Sequence, residues 1–144
     1  MTAEASSILH ASCVSDSGRA LLILGPSGSG KSALALQLMA LGATLVSDDR
    51  TVLRREGDLL MAEAPPTIAG LIEARGIGIF RSAAIVSAPV ALVVDLASPG
   101  AERLPEPRER TLCGLTFPCL PPVTGPHFAA TILLCLRGTL RSAT

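Results

Sequence analysis

The chain has 144 residues, of which 49% are hydrophobic and 17% charged, with 12 basic and 12 acidic side chains. This length suits one domain with a single core, and the balanced charge gives no electrostatic footprint for nucleic acid. Its apolar runs are far shorter than the roughly 20 residues that cross a bilayer, and its start has no signal-peptide pattern. We therefore expect a single domain over residues 1–144, located in the cytoplasm, that binds neither nucleic acid nor a membrane.

The first third of the chain predicts strand, loop, helix and strand. SSILHASCVS (6–15) indicates a strand that leads into a turn at DSG, and RALLIL (19–24) indicates a buried strand that ends at a glycine. KSALALQLMALG (31–42) is rich in good helix formers and stops at glycine, so it predicts a helix. ATLVSDD (43–49) predicts a strand with Asp48 and Asp49 at its carboxyl end.

The remainder predicts more strands and one late helix. TVLRREGDLLMAEAP (51–65) indicates two strands joined at EGD, TIAGLIEARG (67–76) a short helix, and IGIF and PVALVVDLA two apolar strands. Residues 98–110 indicate an exposed loop, residues 117–126 an irregular segment, and residues 127–141 a helix with arginines in its last turn. Strands interleaved with helices predict an α/β fold with a mixed sheet.

Residues 25–32, GPSGSGKS, satisfy the phosphate-binding pattern GxxxxGK[ST] in full. A phosphate held by backbone N–H groups needs residues without Cβ hindrance, and the following helix points its positive end at the same anion. Lys31, the single lysine of the chain, is expected to reach the β- and γ-phosphates, and Ser32 to offer its hydroxyl to Mg²⁺. The predicted nucleotide-binding residues are Gly25, Ser27, Gly28, Ser29, Gly30, Lys31 and Ser32.

Two adjacent carboxylates follow this helix, at Asp48 and Asp49. Because neighbours on a strand point to opposite faces, one carboxylate could approach a metal while the other approaches an attacking hydroxyl. A solvated turn is the alternative. Glu73 and Arg75 could complete a metal shell and take phosphate charge, or could form a surface ion pair. His10, judged by itself, is an ordinary strand histidine.

Taken together, these segments resemble the catalytic domain of HPr kinase/phosphorylase, the bacterial family that phosphorylates a serine of the phosphocarrier protein HPr. The resemblance is carried by LHASCV, LLILGPSGSGKSALALQLMALGATLVSDDR, AEAPPTIAGLIEARGIGI and a late LPPV, in the order and spacing of the family. It implies a P-loop fold like the catalytic core of phosphoenolpyruvate carboxykinase, ATP and Mg²⁺ as cofactors, and HPr as substrate. It also implies a homo-oligomer, since the family forms hexamers.

The same resemblance implies residue roles. The family's catalytic aspartate, which takes the proton from the HPr serine, matches Asp48, and its metal-associated neighbour matches Asp49. The family's histidine near the catalytic aspartate matches His10. The implied catalytic residues are Asp48, His10, Lys31 and Arg75, and the implied metal ligands are Ser32, Asp49 and Glu73.

The sequence also departs from the family pattern. Nine residues precede His10, which indicates a short form without the usual N-terminal domain, and Pro26 and Ala11 stand where an acidic residue and a glycine are common. The segment PPVTGPHF has no arginine where the family has a basic loop, so phosphate-dependent dephosphorylation is expected to be weak. Two alternatives stay open: a small-molecule kinase with ERLPEPRER as its lid, and an ATP-binding sensor without transfer activity.

Overall fold

A computed structural model of the chain describes residues 6–97, 108–123 and 125–138. In chain order its strands are β1 Ser6–Leu9, β2 Ala11–Asp16, β3 Arg19–Leu24, β4 Thr44–Ser47, β5 Thr51–Glu56, β6 Leu59–Glu63, β7 Leu71–Ala74, β8 Gly78–Arg81, β9 Ser87–Asp95, β10 Arg108–Leu112 and β11 Leu115–Leu120. The helices are α1 Lys31–Ala40 and α2 Phe128–Leu136, and a single 3₁₀ turn spans Pro66–Ile68.

Within the described ranges, nine strands form one sheet, and its main path runs β1-β5-β6-β9-β3-β2-β4. Strand β9 joins the antiparallel and parallel parts of the sheet. It pairs antiparallel with β6 near Ser87 and parallel with β3 as far as Asp95. Parallel pairing with β11, at Val93 and Val94, adds the β10-β11 hairpin beside β9. The expectation of an α/β fold with a mixed sheet is confirmed.

The sheet has a core on each face, as the alternation of side chains along its strands requires. Ile23 and Val94 lie on one face of the sheet and pack with Leu38 of α1 and Ile132 of α2. Leu22 points to the other face and packs in the second core. Full burial of a leucine or isoleucine side chain contributes about 1.5–3 kcal/mol. These contacts fix α1 against the sheet, and with it the loop that precedes the helix.

The strand order brings two strand ends to one edge of the sheet. Strand β2 is antiparallel to both β3 and β4 and lies between them, so β3 and β4 run in the same direction. The glycine-rich loop leaves β3 after Leu24, and Asp48 follows β4 after Ser47. The loop and the paired aspartates therefore share the edge where α/β sheets commonly bind ligands.

The short helix expected at residues 67–76 is wrong. The chain forms the 3₁₀ turn and then β7, which pairs antiparallel with β8 in a separate two-stranded sheet. Alternate side chains of β7 are buried at Ile72 and Ala74, and Gly76 turns the hairpin with a φ of 84°. Alternation over four residues is too short a signal to outweigh the helix-favouring composition of LIEA.

The expectations for the last third are partly corrected. Residues 98–107 of the expected loop lie outside the described residues, but Arg108, Glu109 and Arg110 belong to β10. Part of the expected irregular segment is β11, which accommodates Pro118 because its parallel pairing with β9 involves only Cys119 and Leu120.

The late helix forms, but its last turn contains no basic residue. Arg137 is the residue after α2, and its guanidinium binds the Asp16 carboxylate at 2.9 and 3.1 Å. Arg19 donates to the carbonyl oxygen of Leu136 at 3.1 Å, so two arginines meet the carboxyl end of the helix from outside it. Neither described helix has the length and apolar character of a membrane span.

Candidate active site

The glycine-rich loop joins β3 to α1 and adopts backbone angles that favour glycine. Gly28 and Gly30 have φ values of 82° and 100°, in the left-handed region that residues with a Cβ rarely adopt. At Gly25, with a φ of 150°, an added Cβ would overlap Ser29 Oγ and lie 3.3 Å from Leu96 Cβ. The loop therefore requires glycine at these positions for conformational reasons as well as for close approach of a ligand.

Lys31 is buried, although it carries a charge. Its Nζ donates hydrogen bonds to the carbonyl oxygens of Gly25 at 2.8 Å and Pro26 at 3.2 Å. A buried ammonium needs such acceptors to offset the loss of water. The lysine thus reaches back across the loop from the first turn of α1, which holds a positive charge at the loop itself.

Asp48 is almost fully buried and receives three hydrogen bonds. Its Oδ1 accepts from Ser32 Oγ at 2.7 Å and from Ser12 Oγ at 2.8 Å. Its Oδ2 accepts from the backbone N–H of Glu73 at 3.2 Å. One carboxylate therefore connects the helix after the glycine-rich loop, the β2 strand and the β7-β8 hairpin.

Asp49 has different surroundings. Its φ of 69° is unusual for a residue with a side chain, and its backbone N–H donates to Ser12 Oγ at 3.2 Å. Its Oδ1 lies 2.9 Å from His10 Nε2, and the two side chains are 54% and 46% exposed. The neighbouring aspartates therefore differ in access: Asp48 is enclosed, whereas Asp49 and His10 meet solvent.

The strand registers explain why His10 meets Asp49. His10 lies between β1, whose Leu9 pairs with Thr51, and β2, whose Cys13 pairs with Ser47. The segment 48–50 is the corresponding bend on the partner strands, so the two bends face each other.

A cavity of about 760 Å³ lies over these groups. It is lined by the glycine-rich loop, the start of α1 and both aspartates, together with the β7-β8 hairpin. The lining residues are Ser27, Gly28, Gly30, Lys31, Ser32, Ala33, Leu36, Asp48, Asp49, Arg50, Ile68, Leu71, Ile72, Glu73, Ala74, Arg75, Ile77 and Ile79. A cavity of this size suits a nucleotide-sized or drug-sized ligand.

Most residues predicted from the sequence line this cavity, including Glu73 and Arg75 of the β7-β8 hairpin and the turn that joins its strands. Three do not. His10 contributes through its bond to Asp49, and Gly25 lies under the Lys31 ammonium. Ser29 Oγ is buried beneath the loop without a hydrogen-bond partner in the described structure.

Sequence reasoning missed Ser12, which contacts both aspartates. A serine inside an otherwise apolar strand was the available signal, but its partners depend on the pairing of β2 with β4. That pairing contains a register shift between Cys13 and Val14, and no pattern in the sequence predicts this shift.

Comparison with known proteins identifies the family. The profile described as "HPr Serine kinase C-terminal domain" matches residues 2–95, which is more than half of the chain. The chain belongs to this family. The matched region contains every residue of the site described above and ends at the last residue of β9.

Curated relatives of the HPr serine kinase family match over about half of the chain. "HPr kinase/phosphorylase 1" of Oceanobacillus iheyensis is 45% identical over 74 residues, which cover 51% of this chain and 24% of that protein. "HPr kinase/phosphorylase" of an Exiguobacterium species is 47% identical over 72 residues, covering 49% and 23%. The matched segment is thus about a quarter of the length of these relatives.

One solved structure resembles this chain over a longer segment than the sequence matches cover. The "Hpr(Ser) kinase/phosphatase from Coxiella burnetii" superposes with a TM-score of 0.75 at 25% identity. The superposition covers 92% of this chain and 88% of that one. The fold of the chain therefore matches a solved HPr kinase structure over nearly its full extent.

Proposed function

We propose that the chain is an ATP- and Mg²⁺-dependent serine kinase that phosphorylates HPr. The observation that carries the proposal is the junction of loop and carboxylates: Ser32 Oγ donates to Asp48 Oδ1 at 2.7 Å, and Asp49 beside it is bound to His10. Transfer to a hydroxyl requires a phosphate-binding loop next to a carboxylate that the hydroxyl can reach. The substrate's identity comes from the relatives named HPr kinase/phosphorylase.

The proposal includes a P-loop fold of the phosphoenolpyruvate carboxykinase kind. Its support is local: a buried strand, a loop with glycines in left-handed angles, and a helix that begins at the lysine of the motif. The amino end of α1 points its unpaired N–H groups and positive dipole end towards the loop. Such an arrangement favours a bound phosphate without further side chains.

The residues of the loop fit ATP and Mg²⁺. Bound ATP supplies the phosphoryl group, and Mg²⁺ neutralises charge on its oxygens. The Lys31 ammonium now bonds two loop carbonyls and is in place to exchange them for phosphate oxygens. The Ser32 hydroxyl, the Asp48 carboxylate and the Glu73 side chain on the cavity wall are oxygen donors of the kind that Mg²⁺ prefers.

We assign the role of proton acceptor to Asp49 and the role of metal ligand to Asp48. This is the reverse of the roles that the family resemblance implied. Both oxygens of Asp48 already accept hydrogen bonds, and its side chain is enclosed. Asp49 is 54% exposed, so a serine on another protein can approach it. An ionised Asp49 accepts a hydrogen bond from His10 Nε2, which holds the acceptor oxygen in position.

The remaining polar residues of the cavity suit the charge that develops during transfer. Lys31 lies at the loop, and Arg75 of the β7-β8 turn lines the same cavity. Cations beside a transferring phosphoryl group stabilise its equatorial oxygens. The reverse, phosphate-dependent reaction and a homo-oligomeric assembly remain predictions from the family resemblance.

Incubation of the protein with γ-labelled ATP, Mg²⁺ and purified HPr tests the proposal. Label on a serine of HPr is the expected result, and an HPr variant with that serine replaced by alanine is the matched control. Label on a metabolite from a cell extract instead of HPr would indicate a small-molecule kinase. Nucleotide binding without transfer to either would indicate a sensor.

A further inference from the structure

Ser12 is fully buried in β2, and its hydroxyl both donates to and accepts from the aspartate pair. The hydroxyl donates its proton to Asp48 Oδ1 at 2.8 Å and accepts the backbone N–H of Asp49 at 3.2 Å. A hydroxyl that donates in one direction and accepts in another has its orientation fixed. The side chain of Ser12 is therefore a rigid link between the two aspartates.

This link bears on Asp49, the non-glycine residue lining the described cavity whose φ is positive. Asp49 has a φ of 69°, a conformation that costs free energy for a residue with a Cβ and persists only where neighbouring contacts enforce it. The bond from the Asp49 N–H to Ser12 Oγ is such a contact, and the bond from Asp49 Oδ1 to His10 is another. Without Ser12, the N–H would lose a partner at a strained position.

Ser12 also shares an acceptor atom with the glycine-rich loop. Asp48 Oδ1 accepts from Ser12 on the β2 side and from Ser32 on the α1 side. Ser12 lies in the sheet, paired with Ile23 of β3, and so its position does not depend on the loop. It can keep the Asp48 carboxylate in place while the Ser32 side changes its partners on nucleotide binding.

We propose that Ser12 is a positioning residue that sets the Asp48 carboxylate and the Asp49 backbone at a fixed offset for phosphoryl transfer. The proposal rests on the proposed kinase function. It predicts that the hydroxyl, rather than the volume of the side chain, matters, because the bonds are made by the oxygen. Misplacement of a reacting group by about 1 Å can cost roughly 100-fold in rate.

Threonine and valine at position 12 separate the hydroxyl from the volume, because the two side chains have nearly the same shape. Ser12→Val should lower kcat about 10- to 100-fold relative to Ser12→Thr and raise the Mg²⁺ concentration for half-maximal rate. The KM for HPr should change little. Ser15→Ala, a buried serine of the same strand that pairs with Ala20 and Thr44 away from the aspartates, serves as the control. Equal kcat and equal Mg²⁺ dependence in the valine and threonine variants would overturn the proposal.

Hydrogen exchange of the wild-type chain tests the contact without reference to activity or to a variant's ability to fold. The Asp49 amide should exchange at least about 10-fold more slowly than the amide of an exposed bend, because it is bonded to a buried oxygen. An unprotected Asp49 amide would contradict the role of Ser12. This measurement stands even if the wild-type protein fails to label HPr, a result that would count against the kinase assignment instead.

Discussion

Ser32 Oγ donates a hydrogen bond of 2.7 Å to Asp48 Oδ1, which joins the first turn of α1 to the end of β4. Ser32 follows the loop after β3 and Asp48 follows β4, the two strands on either side of β2, and both residues line the same cavity. A hydroxyl and a carboxylate in contact beside a phosphate-binding loop are the pair of oxygen groups that a P-loop kinase presents to its metal.

This contact predicts that the hydroxyl at position 32 governs the metal requirement. Ser32→Ala should raise the Mg²⁺ concentration for half-maximal transfer roughly 10-fold or more, because one oxygen donor of the metal site is removed. Ser32→Thr keeps the hydroxyl and is the matched control. Rates measured against Mg²⁺ at saturating ATP decide between them, and an unchanged requirement in the alanine variant would separate Ser32 from the metal.

Lys31 should be essential for triphosphate binding and transfer. Lys31→Ala or Lys31→Met removes the ammonium that spans the loop, and the chain has no second lysine to replace it, so the transfer rate should fall by roughly 100-fold or more. Lys31→Arg should restore only part of the activity, because a planar guanidinium does not fit where a compact ammonium is held. Near-native turnover of the alanine variant would refute the phosphate-binding role of the loop.

The reverse reaction should be weak compared with the kinase reaction. Residues 121–128, PPVTGPHF, contain no arginine, and attack of inorganic phosphate on phosphoserine brings two anions together. Pyrophosphate release from phosphoserine-HPr, compared with ATP-dependent labelling of HPr by the same preparation, measures the ratio. Reversal as fast as phosphorylation would show that other cations serve this purpose.

Asp16 and Arg137 should stabilise the fold in a pH-dependent manner. The hydrogen bond from the Arg137 guanidinium holds the pKa of the Asp16 carboxyl below its ordinary value of 3.8. A lowered folded-state pKa means that the stabilisation is present above the unfolded pKa and is lost as the pH falls through the folded one. Asp16→Asn should therefore lower the midpoint of thermal unfolding by about 1 to 4 °C at pH 7.

The difference between this variant and wild type should begin to shrink as the pH falls below about 4, where the carboxyl of the unfolded chain takes up a proton, and should vanish below the lowered pKa of the folded-state carboxyl. Asp58→Asn, in the exposed turn between β5 and β6, is the control and should leave the midpoint nearly unchanged at both pH values. An Asp16→Asn effect that persists undiminished at low pH would mean that the ion pair is not its cause.

Much of the fold was predictable where local signals agreed. The run RALLIL, the glycines of the loop and the helix formers after Lys31 indicate strand, loop and helix independently, and all three elements form. The helix expected at residues 67–76 failed because its composition favours a helix, whereas pairing with β8 makes it a strand. The prolines near β11 likewise indicated an irregular segment, but part of it forms a strand because it pairs with β9 and β10.

The sequence pointed to the residues of the candidate site apart from Ser12, but not to the contacts between them. Spacing alone predicted Lys31, Ser32 and the aspartates as site residues, because each belongs to a short motif. Which aspartate meets His10, however, depends on two strand registers and on a left-handed φ at Asp49. Those features arise from tertiary pairing, and so no local pattern reports them.

Single-turnover transfer from ATP to HPr by Asp49→Asn and Asp48→Asn, with nucleotide Kd measured in parallel, tests the central claim most directly. Asparagine keeps the shape and removes the basicity. Asp49→Asn should retain nucleotide affinity and slow transfer by about 10²- to 10⁴-fold, the usual loss when a general base is removed. Asp48→Asn should mainly weaken Mg²⁺-dependent nucleotide binding. Unchanged transfer by Asp49→Asn, with slow transfer and intact nucleotide binding in Asp48→Asn, would contradict this division of roles.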